Sequence, residues 1–203
     1  MIIDPRQTGH QNVYKLLIGA VVPRPIAFVS TVNRAGIPNL APFSFFTAVS
    51  ANPPIVAFCP VRRAGPNPNK DTLSNILATR EFVVNIVSEE FAEQMNACSA
   101  DYPPEVDEFE ASGLTPVPSD LVKPPRVAES HIHMECKLYL IMEFGELPGS
   151  GNLVLGEVVR FHVDEQYFDD FKIDPDKLRA IGRMGGAAYA RTSDRFEMIR
   201  PKV

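Results

Sequence analysis

The run Lys70-Asp71-Thr72-Leu73-Ser74-Asn75 sets a lysine just ahead of an apolar-striped helix, with hydroxyls in the first turn. Free N–H groups and the positive end of the helix dipole converge there, which suits a small anion. Arg62 and Arg63 stand upstream, in the segment leaving an apolar strand. The same residues also describe a capped surface helix beside solvated charges. The run Asn39-Leu40-Ala41-Pro42-Phe43-Ser44-Phe45-Phe46 packs aromatic rings, a hydroxyl and an amide around a proline. Rings can stack a flat heteroaromatic ligand and backbone N–H groups can bond its edge. A core strand bearing three phenylalanines gives the same pattern. Arg24, Ser30 and Thr31 flank and end another strand, where such groups can hold phosphate or serve as ordinary β residues. His131-x-His133-x-Glu135 shares one face of an extended chain, which is possible metal geometry, or a set of exposed residues at a strand entrance. The stretch from Gly182 to Arg191, with Arg183 and Tyr189, could wrap a ligand or a second subunit, or form a compact terminal loop.

Other chemistries lack their residues. No GxGxxG follows a strand, and neither HExxH nor GxSxG occurs, so the dinucleotide fingerprint and two common hydrolase signatures are missing. The stretch from Gly65 to Thr72 approaches a phosphate-cradling GxxxxGK[ST] loop and fails it. No glycine precedes Lys70, and Pro66 and Pro68 remove N–H groups that would have to face phosphate.

The 203 residues are 45% hydrophobic and 22% charged, the composition of a globular chain, and their number suits one domain over residues 1–203. A net charge of −5 argues against a general nucleic-acid or anionic-membrane binder, because neutralising phosphates needs a basic surface. Cys59, Cys98 and Cys136 are odd in number and far apart, which suggests neither a disulfide framework nor a zinc site and fits a reducing compartment. The N-terminus is polar almost at once and no run reaches ~18 apolar residues, so a cytoplasmic protein without a membrane span is expected.

These candidate groups need elements to hold them. The pairs Pro23/Pro25, Pro53/Pro54, Pro66/Pro68, Pro103/Pro104 and Pro124/Pro125 mark loops and strand ends, since proline withholds a ladder donor. Between them, Ile26 to Val32, Ile55 to Val61 and Phe82 to Val87 read as strands, and Ala41 to Ser50 as one extended segment. Met134, Cys136, Leu138, Leu140, Met142 and Phe144 alternate with more polar residues and predict one core-facing edge. After the turn at Pro148-Gly149-Ser150-Gly151, Leu153, Leu155, Val159, Phe161 and Val163 resume the pattern, which predicts a long antiparallel hairpin. Short helices are expected around Val13, Leu16 and Leu17, ending at Gly19; around Leu73, Ile76 and Leu77, capped by Asp71; after Ser88, with Phe91, Met95 and Cys98 inward; and over Asp176 to Ile181. The arm from Asp101 to Glu129 is proline-rich and acidic and shows little periodicity. It reads as an ordered surface arm or as a flap over a site.

Taken in order, Pro23 to Thr31 (PRPIAFVST), Asn39 to Phe46 (NLAPFSFF), Asn52 to Pro54, Lys70 to Ile76 (KDTLSNI) and Glu81 to Val87 (EFVVNIV) resemble the flavin reductase-like, FMN-binding split-barrel family. Phe109 to Thr115 and Arg183 to Arg191 fit the same pattern, so the likeness spans essentially the whole chain. The resemblance implies a mainly β fold, a six-stranded antiparallel split barrel with peripheral helices. It further implies a homodimer with FMN near the subunit interface. Carried onto this chain, it puts Ser30 and Thr31 beside the flavin, Asn39, Leu40, Ala41, Ser44 and Phe45 along the isoalloxazine edge, and Lys70, Asp71 and Thr72 near the phosphate or ribityl chain. Arg24, Arg183, Tyr189 and Arg191 are weaker transfers.

The functional expectation is an FMN-dependent oxidoreductase of the NAD(P)H:flavin reductase type. The cofactor carries the redox chemistry, which explains why the sequence shows no acid–base pair. A flavoredoxin-like electron-transfer protein with a redox-partner protein is the alternative, and a β interaction module that binds a partner through the 101–129 arm is the third reading.

Overall fold

Strand-forming residues occur in short runs separated by proline, and these runs assemble into one antiparallel sheet. The structure is a computed structural model and describes residues 1–202. A helix, α1 (His10–Ala20), precedes strands β1 (Ala27–Val32), β2 (Pro38–Phe43), β3 (Phe46–Ala51) and β4 (Pro54–Phe58). Then come α2 (Asp71–Thr79), β5 (Glu81–Ile86), α3 (Ala92–Ala97), α4 (Glu108–Ser112), and the short pair β6 (Pro116–Val117) and β7 (Arg126–Val127). The long hairpin β8 (Ile132–Glu143) and β9 (Asn152–Val163) follows. Then come the small pair β10 (Phe168–Asp169) and β11 (Lys172–Ile173), the single turn α5 (Pro175–Leu178), and the pair β12 (Ile181–Arg183) and β13 (Tyr189–Arg191).

The main sheet has seven strands in the order β2-β1-β5-β8-β9-β4-β3, not six. The difference arises at Ser44-Phe45. There the segment expected as one extended run from Ala41 to Ser50 breaks into β2, which pairs with β1, and β3, which pairs with β4. The two halves become opposite edges of the sheet and are not hydrogen-bonded to each other, so the barrel is split. Pro42 is tolerated because it lies on an edge strand. Its neighbour Leu40, two residues away, points its N–H away from β1 and toward Glu108, so by the period of two Pro42 occupies a position that owes β1 no donor.

Two cores form, one on each face of β1. Val29, Phe58, Phe82, Val84, Met134, Cys136 and Val154 fill the barrel. Phe28, Leu40, Phe91, Met95, Phe109, Leu114 and Val127 fill a second core outside it, under α3, α4 and the arm. Burial on both faces explains why β1 is apolar without alternation.

The hairpin is present, but its faces differ from the expectation. On β9 the buried residues are Asn152, Val154, Gly156 and Val158, while Leu153, Leu155, Val159 and Val163 are half-buried and Phe161 is exposed. Gly156 sets that choice. A Cβ there would lie 2.2 Å from the Phe82 ring, so only a glycine lets the strand close against it. On β8, Met134, Cys136 and Leu138 face the barrel as expected, but Leu140, Met142 and, just past the strand's end, Phe144 are 45%, 48% and 60% exposed. The ladder skips Tyr139 between Leu138 and Leu140, and one extra residue turns every later side chain to the other face.

The helices are close to expectation with local corrections. α1 runs one residue past Gly19, and of its apolar residues only Ile18 is buried. Asp71 is the first residue of α2 rather than its cap, and its carboxylate turns to Arg63. Ser88 makes no capping bond; a 3-10 turn (Glu89–Phe91) leads into α3, and Phe91, Met95 and Cys98 are buried as expected. The expected helix from Asp176 to Ile181 is the single turn α5 capped by Asp174, and Ile181 belongs to β12.

The arm from Asp101 to Glu129 is packed down. Phe109, Leu114 and Val127 enter the second core, the Ser30 hydroxyl donates to the Pro125 carbonyl, and the fully buried Glu135 accepts from the N–H groups of Asp120 (2.7 Å) and Leu121 (2.6 Å). No helix among the described residues is long and apolar enough to cross a membrane.

Candidate functional site

Asn39 is the hub of the polar chemistry around β2. It sits opposite Thr31 in the β1–β2 ladder. Its Oδ1 accepts from the Thr72 hydroxyl (2.8 Å) and the Thr31 hydroxyl (3.3 Å), and its Nδ2 donates to Glu108 Oε1 (2.7 Å). Thr31 in turn accepts from Asn75 Nδ2 (3.0 Å), and the Leu40 N–H donates to Glu108 Oε2 (3.0 Å). One carboxylate from the arm therefore ties the outer edge of β2 to the start of α2. Burial pushes the Glu108 carboxyl above its ordinary range, while the Leu40 and Asn39 donors work against that shift.

Beside this hub lies a narrow cavity of about 70 Å³ whose walls include Asn39, Ala41, Arg63, Lys70, Asp71 and Thr72. Its charge is mixed. Arg63 bonds Asp71 (3.2 Å), and Lys70 Nζ bonds Asp101 of the arm (2.8 Å). The Lys70 bond and the nearby Arg63 hold the Asp101 carboxyl below its ordinary range. Arg63 Nε is buried without a hydrogen-bond partner and lies 3.6 Å from Asp101. Arg62, which the sequence sets beside Arg63, turns away to Gly145 and Glu143 on the hairpin.

Two wider cavities continue from the first. One of 240 Å³ shares Pro42 and Ser99 with it and adds Tyr14, Ser44, Arg183 and Tyr189. The other, of 520 Å³, shares Ser44 with the second and is walled by Phe45, Phe46, Ala57, Cys59 and Leu153. Through these shared residues the cavities run as one channel, lined by charges of both signs at the Arg63–Lys70 end and apolar at the other. The break between β2 and β3 places Ser44 and Phe45 at its bend. Their N–H groups have no acceptor among the described residues.

The structure thus gathers Asn39, Ala41, Lys70, Asp71 and Thr72 around one cavity and sets Ser44 and Phe45 along its extension. Thr31 and the Leu40 N–H brace the wall from behind. Ser30 is fully buried on the outer face of β1, where it bonds Pro125 and Asn85, and it does not line the channel. Arg24 bonds Ser44, and Arg183 stacks its guanidinium 4.4 Å over the Tyr189 ring. Arg191 and Arg179 both pair with Glu89, away from the 70 Å³ cavity. His131, His133 and Glu135 go to separate partners: His131 to Glu90 and Asp164, His133 to Asn85, and Glu135 to the arm and His162. The sequence reading did not single out Glu108 and Asp101. The signal for the first was local, with Asp107 as a helix cap and Gly113 as the left-handed stop of α4.

The fold is thus a split antiparallel barrel with a channel that runs from a charged end to an apolar one. Residues 19–182 match the family described as flavin reductase like domain, so the protein is a member of that family of flavin-related oxidoreductases. Among solved structures, nitrilotriacetate monooxygenase component B from Bacillus cereus is 38% identical with a TM-score of 0.93, covering 98% of each chain. The 2-nitrobenzoate 2-nitroreductase of Pseudomonas fluorescens is 34% identical with a TM-score of 0.89, covering 99% of this chain and 96% of that one. A Shewanella frigidimarina protein with a split barrel domain is 24% identical with a TM-score of 0.82, covering 97% of this chain and 96% of that one, a likeness of fold.

Proposed function

We propose that this chain binds FMN in the channel and works as an NAD(P)H-dependent flavin reductase. The observation that carries the reading is the pairing of the two channel ends. Arg63 Nε is an unsatisfied buried donor beside Lys70 at the start of a nine-residue helix, and the Ser44 and Phe45 amides have no acceptor next to apolar walls. A ribityl phosphate and a tricyclic ring need those donor sets in that order. The narrow 70 Å³ end suits the phosphate and the wider cavities suit the ring. Lys70 and Arg63 would hold the phosphate, which takes the place of Asp101, an exposed partner in a weak surface pair. Thr72 and Asn39 would orient the sugar alcohol, and the Ser44 and Phe45 amides would bond the ring edge. When bound, the flavin supplies hydride acceptance from the nicotinamide, so the chain's own task is to bind, orient and exclude water. The names of the two similar structures, a monooxygenase component and a nitroreductase, support redox chemistry of this kind.

The same reading includes a homodimer. The apolar residues Leu140, Met142 and Phe144 stand exposed beyond the bulge, and Leu16 and Leu17 stand exposed on α1, more apolar surface than a monomer gains from showing.

The test is anaerobic mixing of the purified protein and FMN with NADH and, separately, NADPH, following visible flavin absorbance. Rapid bleaching with one nucleotide is expected. Tight FMN retention with slow bleaching by both would move the reading to a flavoredoxin-like electron carrier. No flavin binding at all would remove it. The partner-binding reading of the arm loses its motive, because the arm's apolar residues fill the chain's own second core.

A further inference from the structure

Arg24 is a buried cation without a buried anion. It is 4% exposed and makes no ion pair among the described residues. Its guanidinium instead donates to three main-chain carbonyls: Ile18 (2.7 Å) and Val21 (2.8 Å) at the end of α1, and Met184 (2.9 Å) in the C-terminal segment. Its backbone also exchanges hydrogen bonds with Arg183 at 2.9 and 2.8 Å. The carbonyl end of α1 favours a cation there, which offsets much of the cost of burying one. These contacts fix the plane of the guanidinium, and its Nε points at Ser44 Oγ (3.3 Å).

A serine hydroxyl has one proton to donate and two lone pairs to accept with. Arg24 occupies a lone pair of Ser44, and no acceptor among the described residues takes the proton. Ser44 is half-buried and borders both the 240 Å³ and the 520 Å³ cavities. The proton is therefore available to an acceptor inside the channel. A positive charge on the far side of the oxygen makes it a stronger donor, and low local dielectric preserves the effect. A lysine would not reproduce the arrangement, since a flexible point charge cannot hold three carbonyls and a hydroxyl in one plane.

We propose that Arg24 is a positioning residue which, through Ser44, aims a polarised hydroxyl donor at the ring edge of the bound flavin and so favours the electron-rich reduced ring over the oxidised one. The inference rests on the FMN reading above and adds to it a buried residue at the cavity wall that acts through Ser44. Its physical basis is differential binding: a donor facing atoms that gain negative charge on reduction holds the reduced form more tightly.

The experiment measures dissociation constants for oxidised FMN and for dithionite-reduced FMN in the full chain and in Ser44→Ala, Arg24→Lys and the double variant, with thermal melts of each. Ser44→Ala is expected to weaken reduced FMN about tenfold more than oxidised FMN, which lowers the bound two-electron potential by about 30 mV. Arg24→Lys should change the ratio in the same direction when Ser44 is present and leave it unchanged when Ser44 is already alanine. The proposal is overturned if Ser44→Ala binds both forms in the unaltered ratio, or if Arg24→Lys shifts the ratio equally in the Ser44→Ala background. Should Arg24→Lys fail to fold, Arg24→Gln, which removes the charge and keeps donors for the carbonyls, takes its place in the same cycle with the same two outcomes. Failure of the unmodified protein to take up either form overturns the FMN reading itself, and this is seen before any variant is compared.

Discussion

His133 sits in a polar seam between β5, β8 and the arm. Burial pushes its imidazole from the ordinary 6.5 down to about 4, and the charge of Arg126 acts in the same direction. The ring is therefore neutral at pH 7. Asn85 Nδ2 donates to the Phe28 carbonyl (3.0 Å), so Asn85 Oδ1 is the acceptor for both the Val127 N–H (3.0 Å) and His133 Nδ1 (2.8 Å). That bond requires the proton on Nδ1. Above pH 6.5 folded and unfolded chains are both neutral at this position. Between 6.5 and 4 the unfolded chain takes up a proton that the folded one refuses, so stability falls as pH falls and levels off near 4. A gap of about 2.5 pH units corresponds to roughly 3 kcal/mol, with a steepest slope of about 1.4 kcal/mol per pH unit. Guanidinium unfolding at several pH values between 7.5 and 4.5 measures this directly. His133→Asn keeps a donor near the Nδ1 position and does not titrate, so its curve is expected to be flatter than that of the unmodified protein by about that amount. Parallel curves would refute the reasoning. The consequence reaches the site, because Asn85 fastens Val127 of the arm, and the same arm carries Glu108 to Asn39.

Three further outcomes follow from the same contacts. Lys70→Ala should weaken FMN binding by roughly 1–3 kcal/mol, the scale of a charge-assisted hydrogen bond, while the flavin-free melting temperature barely moves, because the lysine's partner Asp101 is exposed; a matching loss of fold would make Lys70 structural. Glu108→Ala should cost roughly 2–5 kcal/mol in urea unfolding, since it strands the buried Leu40 N–H and Asn39 Nδ2, and Glu108→Gln should cost less because it keeps one acceptor. Met142→Glu should convert the proposed dimer to monomers in sedimentation velocity without lowering the content of β structure; a monomer before substitution would remove the dimer reading, and an unchanged dimer would place the interface elsewhere.

How much of the site was legible depends on the range of each contact. The KDTLSN run shows its cation, its helix start and its hydroxyls within six residues, and the structure places Lys70, Asp71 and Thr72 together at one cavity wall. Ser30 and Thr31 are adjacent in sequence, yet only Thr31 reaches Asn39 of the wall, because successive strand residues face opposite sides. Glu108 reaches Asn39 from 69 positions away, and no local pattern could announce that bond. Arg24 stands between two prolines, and nothing in that local pattern marks it as buried. Its burial depends on three carbonyls that come from α1 and from the C-terminal segment.

The order of motifs along the chain was enough to determine the family, short β-branched apolar runs determined β1 and β5, and period-two alternation determined the long hairpin, since each of those signals is local. Tertiary structure alone decided the number of strands and the facing of the hairpin. The break at Ser44-Phe45 sends β2 and β3 to opposite sheet edges only because each finds a different partner, and the bulge at Tyr139 turns Leu140 and Met142 outward only once β8 is laddered to β9. A pattern of apolar residues says that a segment is extended, while its neighbours, its register and the charge buried beside it come from closing the sheet.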